Sequence, residues 1–256
     1  PFTVRVNGRG VAMAGISTVG TRPEYRRQGL VRKIMTRAFA EQRERGQSIA
    51  GLWASQAAIY QRYGFAPAGA LREYRVDTTD IRLLMDSDDL PVQRFEGVEA
   101  FEAVRALYKD FIAQRTGYLH RSKSLWLNNV FAPPAEDGPV YVALVGSVSA
   151  PTGYVVYTLR AQRVQHRARA QEIRIRDLAW LDRSAYAALW QYLARHDLVG
   201  RVVWSTAPMD DPAPDLFIEP RLLHAQDLEG TWWRLVDVPV ALSLIHISEP
   251  TRLGAI

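Results

Sequence analysis

Two hydrophobic periods alternate along this chain, and their order predicts its architecture. Residues 3–6 and 14–21 carry the short apolar alternation of strands, and Asn7-Gly8 between them suits a tight hairpin turn. From about 29 to 45 the period lengthens. Leu30, Val31, Ile34, Met35, Ala38 and Phe39 recur at helical spacing, while Arg32, Lys33, Arg37, Glu41 and Arg43 fall elsewhere on the wheel. Gly46 is a suitable stop, because glycine accepts the left-handed backbone that ends many helices. Residues 48–53 then read as a buried strand, 57–63 as a short helix and 69–77 as a further strand. Strand, helix, strand in this order predicts an α/β unit.

The pattern breaks near 78–91, where Asp86, Asp88 and Asp89 crowd a linker. Beyond it Phe101, Val104, Tyr108 and Phe111 give one face of a helix, and 140–148, 153–160 and 172–181 read as strands. Tyr186, Leu189, Trp190 and Leu193 line another helix, with a strand at 201–205 after it. The second unit repeats the plan of the first without repeating its sequence. The first unit is expected to start in mid-sheet. Residues 243–256 do not continue the preceding pattern; they resemble translated adapter read-through and are expected to be a non-native tail.

Composition narrows the classes. At 256 residues, with 48% hydrophobic and 23% charged, the chain has the make-up of a soluble globular protein of roughly two domains. The absence of cysteine excludes a disulfide scaffold, a cysteine nucleophile and a thiolate metal site. No apolar run approaches the ~18–20 residues that span a bilayer, and no leader pattern is visible, so a cytoplasmic protein without membrane contact is expected. His120, His166, His196, His224 and His246 are dispersed, and no metal site is expected from them. There is no Gly-x-Ser-x-Gly elbow to suggest a serine hydrolase. A net charge of +5 suits anionic ligands without choosing among them.

The most informative stretch is Pro23-Glu24-Tyr25-Arg26-Arg27-Gln28-Gly29-Leu30, between a strand and an amphipathic helix. A helix start carries unpaired N–H groups and about half a positive charge, so Arg26 and Arg27 are locally unfavourable there. A bound anion reverses that sign, and Gly29 lets a pyrophosphate approach the backbone. Two readings fit this spacing: an exposed arginine pair beside a helix-starting glycine, or an anion site. Neither the Walker pattern nor the dinucleotide glycine series is present. Tyr60 and Tyr63 by themselves read as packing aromatics of a helix ending at Gly64. Arg160, Arg163, Arg167, Arg169, Arg174 and Arg176 form a basic run around a hairpin-like connection. It reads as a solvated or subunit-facing ribbon, with nucleic acid or another anion as the less favoured partner. Trp126, Trp180, Trp190 and Trp232 sit in apolar patterns and read as core or subunit contacts.

Arg26-Arg27-Gln28-Gly29-Leu30-Val31 after a strand resembles the coenzyme A pyrophosphate loop of the GNAT acetyltransferase superfamily, Arg/Gln-x-x-Gly-x-Gly/Ala, with Val31 departing at the last position. Leu52-Trp53-Ala54-Ser55 and Ile59-Tyr60-Gln61-Arg62-Tyr63-Gly64-Phe65 are similar to a segment of its Eis (enhanced intracellular survival) branch, as is the run from Trp232 to Leu242.

The resemblance implies an α/β (α+β) fold of tandem GNAT units. A partial N-terminal acetyltransferase domain would cover 1–80, a linker 81–90, and a central domain without the coenzyme loop 91–242; a sterol-carrier-like C-terminal domain would be missing. It implies acetyl-CoA as co-substrate, no metal, and an amine acceptor. Aminoglycosides, the antibiotic-resistance substrates of this branch, are favoured over protein lysines or polyamines, and a catalytically inactive coenzyme- or partner-binding fragment is the remaining alternative. It implies homo-oligomers, trimers or hexamers in intact members. Val19 and Thr21 would offer backbone groups to the pantetheine arm. The amides of Gln28, Gly29, Leu30 and Val31 would cradle the pyrophosphate, with Arg26, Arg27 and Arg32 adding charge and Ser55 nearby. Tyr60 matches the family's general acid; a phenol, with a pKa near 10, can protonate a thiolate leaving group at neutral pH.

Overall fold

A computed structural model describes residues 2–85, 90–162 and 170–244. Among them the chain forms a mixed α/β structure with one five-stranded and one seven-stranded sheet, each at the centre of its own unit.

The first unit gathers 2–69, 112–120 and the described residues from 229 onward. Strand β1 (Phe2–Val6) turns into β2 (Arg9–Gly15) with Val6 opposite Arg9. Asn7 and Gly8 take φ of 47° and 75°, the two positive values that a tight hairpin turn matched to strand twist requires. Helix α1 (Leu30–Glu44) leads from β2 to β3 (Ile49–Leu52), which lies parallel to β2. Gly46, at φ 68°, ends the helix region as expected. A four-residue helix α2 (Ala57–Tyr60) and a short β4 (Ala66–Pro67) follow. The sheet order is β1-β2-β3-β12-β4, with β12 (Trp232–Leu235) antiparallel to both of its neighbours. A last short helix, α7 (Val238–Ser243), is capped by Asp237, whose carboxylate accepts from Val240 N at 3.2 Å. Along the outer edge of β1, residues 117–120 supply the missing ladder bonds: Arg5 N to Tyr118 O at 2.7 Å and His120 N to Thr3 O at 2.8 Å.

One core cluster joins Ala14, Met35, Ala50, Leu52, Tyr60, Phe65, Trp232 and Val236. The second joins Val4, Val11, Met13, Ile49 and Ala241. Consecutive residues of β3 divide between the two clusters, as the two-residue period of a strand demands.

The second unit comprises 70–111 and 121–228. Its strands are β5 (Ala70–Asp77), β6 (Val92–Glu96), β7 (Val140–Ser147), β8 (Ala150–Ala161), β9 (Gln171–Trp180), β10 (Val199–Pro208) and β11 (Gln226–Glu229), ordered β11-β5-β10-β9-β8-β7-β6. Helix α3 (Phe101–Phe111), the one-turn α4 (Lys123–Leu125), α5 (Arg183–Ala194) and the short α6 (Ala213–Leu216) complete it. Helix α5 connects β9 to β10, which run parallel, and buries seven residues including Tyr186, Leu189 and Trp190. Trp126, Trp180 and Trp190 are core side chains here, and Trp232 is one in the first unit. Among the described residues no helix is long and apolar enough to cross a membrane.

Three sequence expectations differ from this arrangement. The strand expected over 14–21 ends at Gly15; Ile16 N still donates to Gly51 O at 2.9 Å, and then Thr18, at φ 56°, turns the chain away. The strand near 69–77 forms, but β5 pairs with β10 of the seven-stranded sheet rather than with the first unit. The units are not the continuous spans 1–80 and 91–242, since 112–120 and 229–244 join the first. Within the expected linker, Leu83 bridges Phe217 and Leu84 N donates to Leu216 O at 2.8 Å, so this part is pinned; 86–89 lie outside the described residues. In the expected tail, Ser243 closes α7 and 245–256 lie outside them.

Candidate functional site

The site begins where two parallel strands part. Met13, Ala14 and Gly15 pair with Ile49, Ala50 and Gly51, and Ile16 N makes the last bond between the strands. A Cβ on Gly15 would collide with the Phe2 ring, and one on Gly51 with the end of Met13, so both glycines admit a neighbour's side chain across the sheet. Beyond that point the segment carrying Val19 and Thr21 follows no strand, and Trp53 stands 62% exposed just past the end of β3. Diverging parallel strands leave unpaired backbone on both walls, which an extended ligand arm can use as an added strand would.

The chain then makes one tight turn, Pro23–Tyr25, with Arg26 N donating to Pro23 O at 3.2 Å. Arg26 Nε reaches back to Thr21 O at 3.2 Å, and Gln28 Nε2 to Glu24 O at 3.4 Å, so the turn's own side chains brace it. Arg27 and Gly29 take positive φ, 64° and 73°. For arginine this backbone costs about 1–2 kcal/mol, and such strain gathers at ligand clamps. Helix α1 has no side-chain cap and no acidic residue in its first turn. No atom lies within 4 Å of where a Gly29 Cβ would stand. Among the described residues the amides of Gln28, Gly29, Leu30 and Val31 have no backbone acceptor. An uncapped helix start flanked by the exposed Arg26, Arg27 and Arg32 therefore presents donors and positive charge to one small volume. These residues fit a pyrophosphate.

Tyr60 closes α2, and the chain continues as a 3₁₀ turn, Gln61–Tyr63, stopped by Gly64 at φ 75°. Gly64 N donates to Gln61 O at 2.9 Å and Phe65 N to Tyr60 O at 3.3 Å. The Tyr60 ring is 7% exposed and meets Phe65 edge-on at 6.2 Å between centroids. Its hydroxyl takes no hydrogen-bond partner among the described residues, yet it is not one of their sealed, unsatisfied polar atoms. A buried ring thus presents an open hydroxyl. Ile16, Val31 and Ala54 pack against the cluster that contains Tyr60, so the strand fork, the helix start and the end of β3 converge on one core. Ser55 stands exposed nearby in sequence, with no side-chain hydrogen bond among the described residues.

Sequence reasoning missed Arg234. It lies on β12 opposite Ala50, its guanidinium sits 3.9 Å from the centroid of Phe39, and Nη1 donates to Tyr63 O. A lone cation inside Trp232-Trp233-Arg234-Leu235, a strand otherwise apolar, was the available signal. In the arginine-rich run, Arg160 and Arg174 approach Asp137 at 3.8 and 3.6 Å, and Arg176 donates to the Asn129 and Val130 carbonyls. These three are half-buried and held within their unit, whereas Arg163, Arg167 and Arg169 lie outside the described residues.

Comparison with known proteins agrees with this geometry. Residues 1–68 match one family described as acetyltransferase (GNAT) domain, and 117–235 match a second of the same description. The chain belongs to the GNAT acetyltransferases. Within them it is a homologue of the N-acetyltransferase Eis of Mycobacterium tuberculosis, 30% identical over 238 residues that make up 90% of this chain and 56% of that protein. An uncharacterised N-acetyltransferase of Streptomyces griseus is 27% identical over 248 residues, 93% of this chain and 60% of that one. Among solved structures, Eis1 from Mycobacterium abscessus superposes with a TM-score of 0.78 at 28% identity, covering 95% of this chain and 61% of that one. A GCN5-related N-acetyltransferase from Anabaena variabilis gives 0.80 at 26% identity, covering 94% and 60%. The chain spans 56–60% of the length of the curated relatives it matches.

Proposed function

We propose that this chain carries the coenzyme-binding and proton-donating parts of an acetyl-CoA-dependent N-acetyltransferase. The observation that carries the reading is the parting of β2 and β3 immediately ahead of an uncapped helix start, with Arg26, Arg27 and Arg32 around it and the open hydroxyl of Tyr60 on the same core. Bound acetyl-CoA would supply an activated acetyl thioester. The protein's own part is to hold it. The backbone of Val19 and Thr21 would line the pantetheine arm, and the amides of Gln28, Gly29, Leu30 and Val31 would take the pyrophosphate oxygens. Arg26, Arg27 and Arg32 would add charge-assisted contacts. Tyr60 Oη would hold the proton that the departing thiolate takes, and Ser55 would stand beside the coenzyme. The acceptor is a neutral amine. An aminoglycoside is favoured on the resemblance to the Eis branch, with protein lysines and polyamines as the alternative; a cytoplasmic, homo-oligomeric enzyme fits the same resemblance.

Calorimetry with acetyl-CoA, combined with a thiol-release assay over an aminoglycoside and polyamine panel, tests this. Each arginine contact to an anion contributes ~1.5–3 kcal/mol, so Arg26→Ala/Arg27→Ala is expected to weaken coenzyme binding about 100-fold or more. Tyr60→Phe should lower kcat by about 100-fold, the low end of acid–base effects, while coenzyme affinity stays put. A folded wild-type chain that binds no acetyl-CoA refutes the proposal.

A further inference from the structure

The segment that holds Tyr60 cannot hold itself. Helix α2 is four residues long, far short of the ~12–15 that make an isolated helix even marginal. Its 3₁₀ continuation closes on Gln61 O through Gly64 N, but the Tyr63 carbonyl at its end has no backbone donor among the described residues. The position of the Tyr60 hydroxyl must therefore be imposed from outside, and the contacts of Arg234 are arranged to impose it.

Arg234 Nη1 donates to Tyr63 O, the carbonyl three residues past Tyr60, where a cation also meets the negative end of the turn. The face of the same guanidinium stacks on Phe39 of α1 at 3.9 Å. Phe39 contacts Phe65 at 6.1 Å between centroids, and Phe65 contacts Tyr60 at 6.2 Å. One planar group thus holds the loop after Tyr60 directly at Tyr63 O and, through Phe39, at Phe65. It does so from a strand locked between β3 and β4. Among the described residues the guanidinium has no carboxylate partner, and Nε is sealed without an acceptor. Burial, with the like charge of Arg43 second, pulls its pKa below the usual arginine value. A cation desolvated without a counterion is costly to keep, and packing alone would be served by a neutral side chain.

We infer that Arg234 is a positioning residue for Tyr60, fixing through the Tyr63 carbonyl and the Phe39–Phe65 stack where the hydroxyl stands. The inference rests on the reading of Tyr60 as proton donor, and its test keeps the two apart. A fluorotyrosine placed at position 60 reports the ring's environment by its fluorine resonance whether or not the chain turns over. In Arg234→Met the resonance should shift and broaden, and kcat should fall about 30-fold, within the ~100-fold that a 1 Å misplacement can cost. The coenzyme dissociation constant and KM should stay within about twofold, because the pyrophosphate turn is untouched. Arg234→Lys keeps the charge and a donor but loses the planar stack, so it should fall between wild type and Met. Should the Met variant not fold, the Lys variant carries the test. An unchanged resonance and kcat in a folded variant overturns the inference, as does a fall in coenzyme affinity as large as the fall in kcat, which would mark general loosening. If wild type releases no thiol, the acetyltransferase reading fails for this chain, and the resonance alone still decides the positioning.

Discussion

Both units contain the same crossover, a strand, a helix and a parallel strand, yet they finish the helix start in opposite ways. Between β2 and α1 run fourteen residues, 16–29, and the helix opens bare, behind a left-handed glycine and beside three arginines. Between β9 and α5 only Leu181 and Asp182 intervene, and Asp182 caps the helix, its carboxylate accepting from Ala185 N at 2.7 Å. Helix α1 buries Met35 and Gln42 out of fifteen residues, whereas α5 buries seven of twelve. Gly153 of β8 lets α5 lie close, since a Cβ there would stand 3.1 Å from that of Ala185. The second helix is a core element whose terminus is satisfied internally. The first gives up cap and burial, and what it keeps is a set of unspent donors. The difference teaches that a helix start left bare in a fold that caps its counterpart is the place to look for a ligand's charge.

The comparison breaks most sharply if the bare terminus is given the acid that its counterpart has. Gly29→Asp places a carboxylate at the start of α1, where it would compete for the open amides and repel a pyrophosphate. Coenzyme affinity is expected to fall at least ~1,000-fold, combining lost donors with like-charge repulsion. Gly29→Ala is the control. It carries the same left-handed strain of about 1–2 kcal/mol but no charge, and it meets no atom within 4 Å. Equal losses in the two variants, read by calorimetry, would mean that conformation rather than the amides binds the coenzyme.

A second perturbation addresses the other unit alone. Asp211 is 6% exposed; its carboxylate accepts from Tyr186 Oη at 2.7 Å and Ala213 N at 3.0 Å. Burial pushes its pKa up to about 6, against the opposing pull of those hydrogen bonds. The folded state therefore binds this proton more tightly than the unfolded chain does. The stabilisation is full below pH ~4 and lost as pH rises through about 6, up to roughly 3 kcal/mol. Asn keeps an oxygen acceptor without the charge. Urea unfolding at pH 5 and pH 7.5 should show Asp211→Asn gaining relative to wild type at the higher pH, with coenzyme affinity unmoved. A gain that does not grow with pH would remove the buried charge from the account.

What was legible in the sequence was local. Asn7-Gly8 reads as a tight turn and Gly46 as a helix stop, and each takes the positive φ this requires; Gly29 and Gly64 take it too. The apolar period placed α1 within a residue at either end. The arginine pair and glycine between strand and helix were readable as a candidate anion site because such a site at a helix start needs only neighbours in sequence. The partners of a strand are not local. Trp232–Leu235 reads only as part of a family-like run, and nothing in its pattern says that it enters as a strand between β3 and β4, about 180 residues earlier. For the same reason β5 was read as a strand but assigned to the wrong sheet. Arg234 stayed invisible because its meaning depends on Phe39 and Tyr63, which only that insertion brings to it.

The smallest expected effect is the mirror image of the first. Asp182→Ala strips the cap from α5 and leaves Ala185 N without its side-chain acceptor. Loss of an N-cap costs ~1 kcal/mol, and the tertiary contacts of α5 should keep the helix in place. Stability should fall by about that amount in urea, while acetyl-CoA binding and thiol release remain at wild-type values. The uncapped α5 should also gain no affinity for the coenzyme. It has no arginine pair ahead of it and only a two-residue connection, although β9 and β10 also part, beyond Arg174–Val203. Coenzyme binding at a second site in this variant would show that a bare helix start beside parted strands suffices, and the arginines of the first unit would lose their place in the argument.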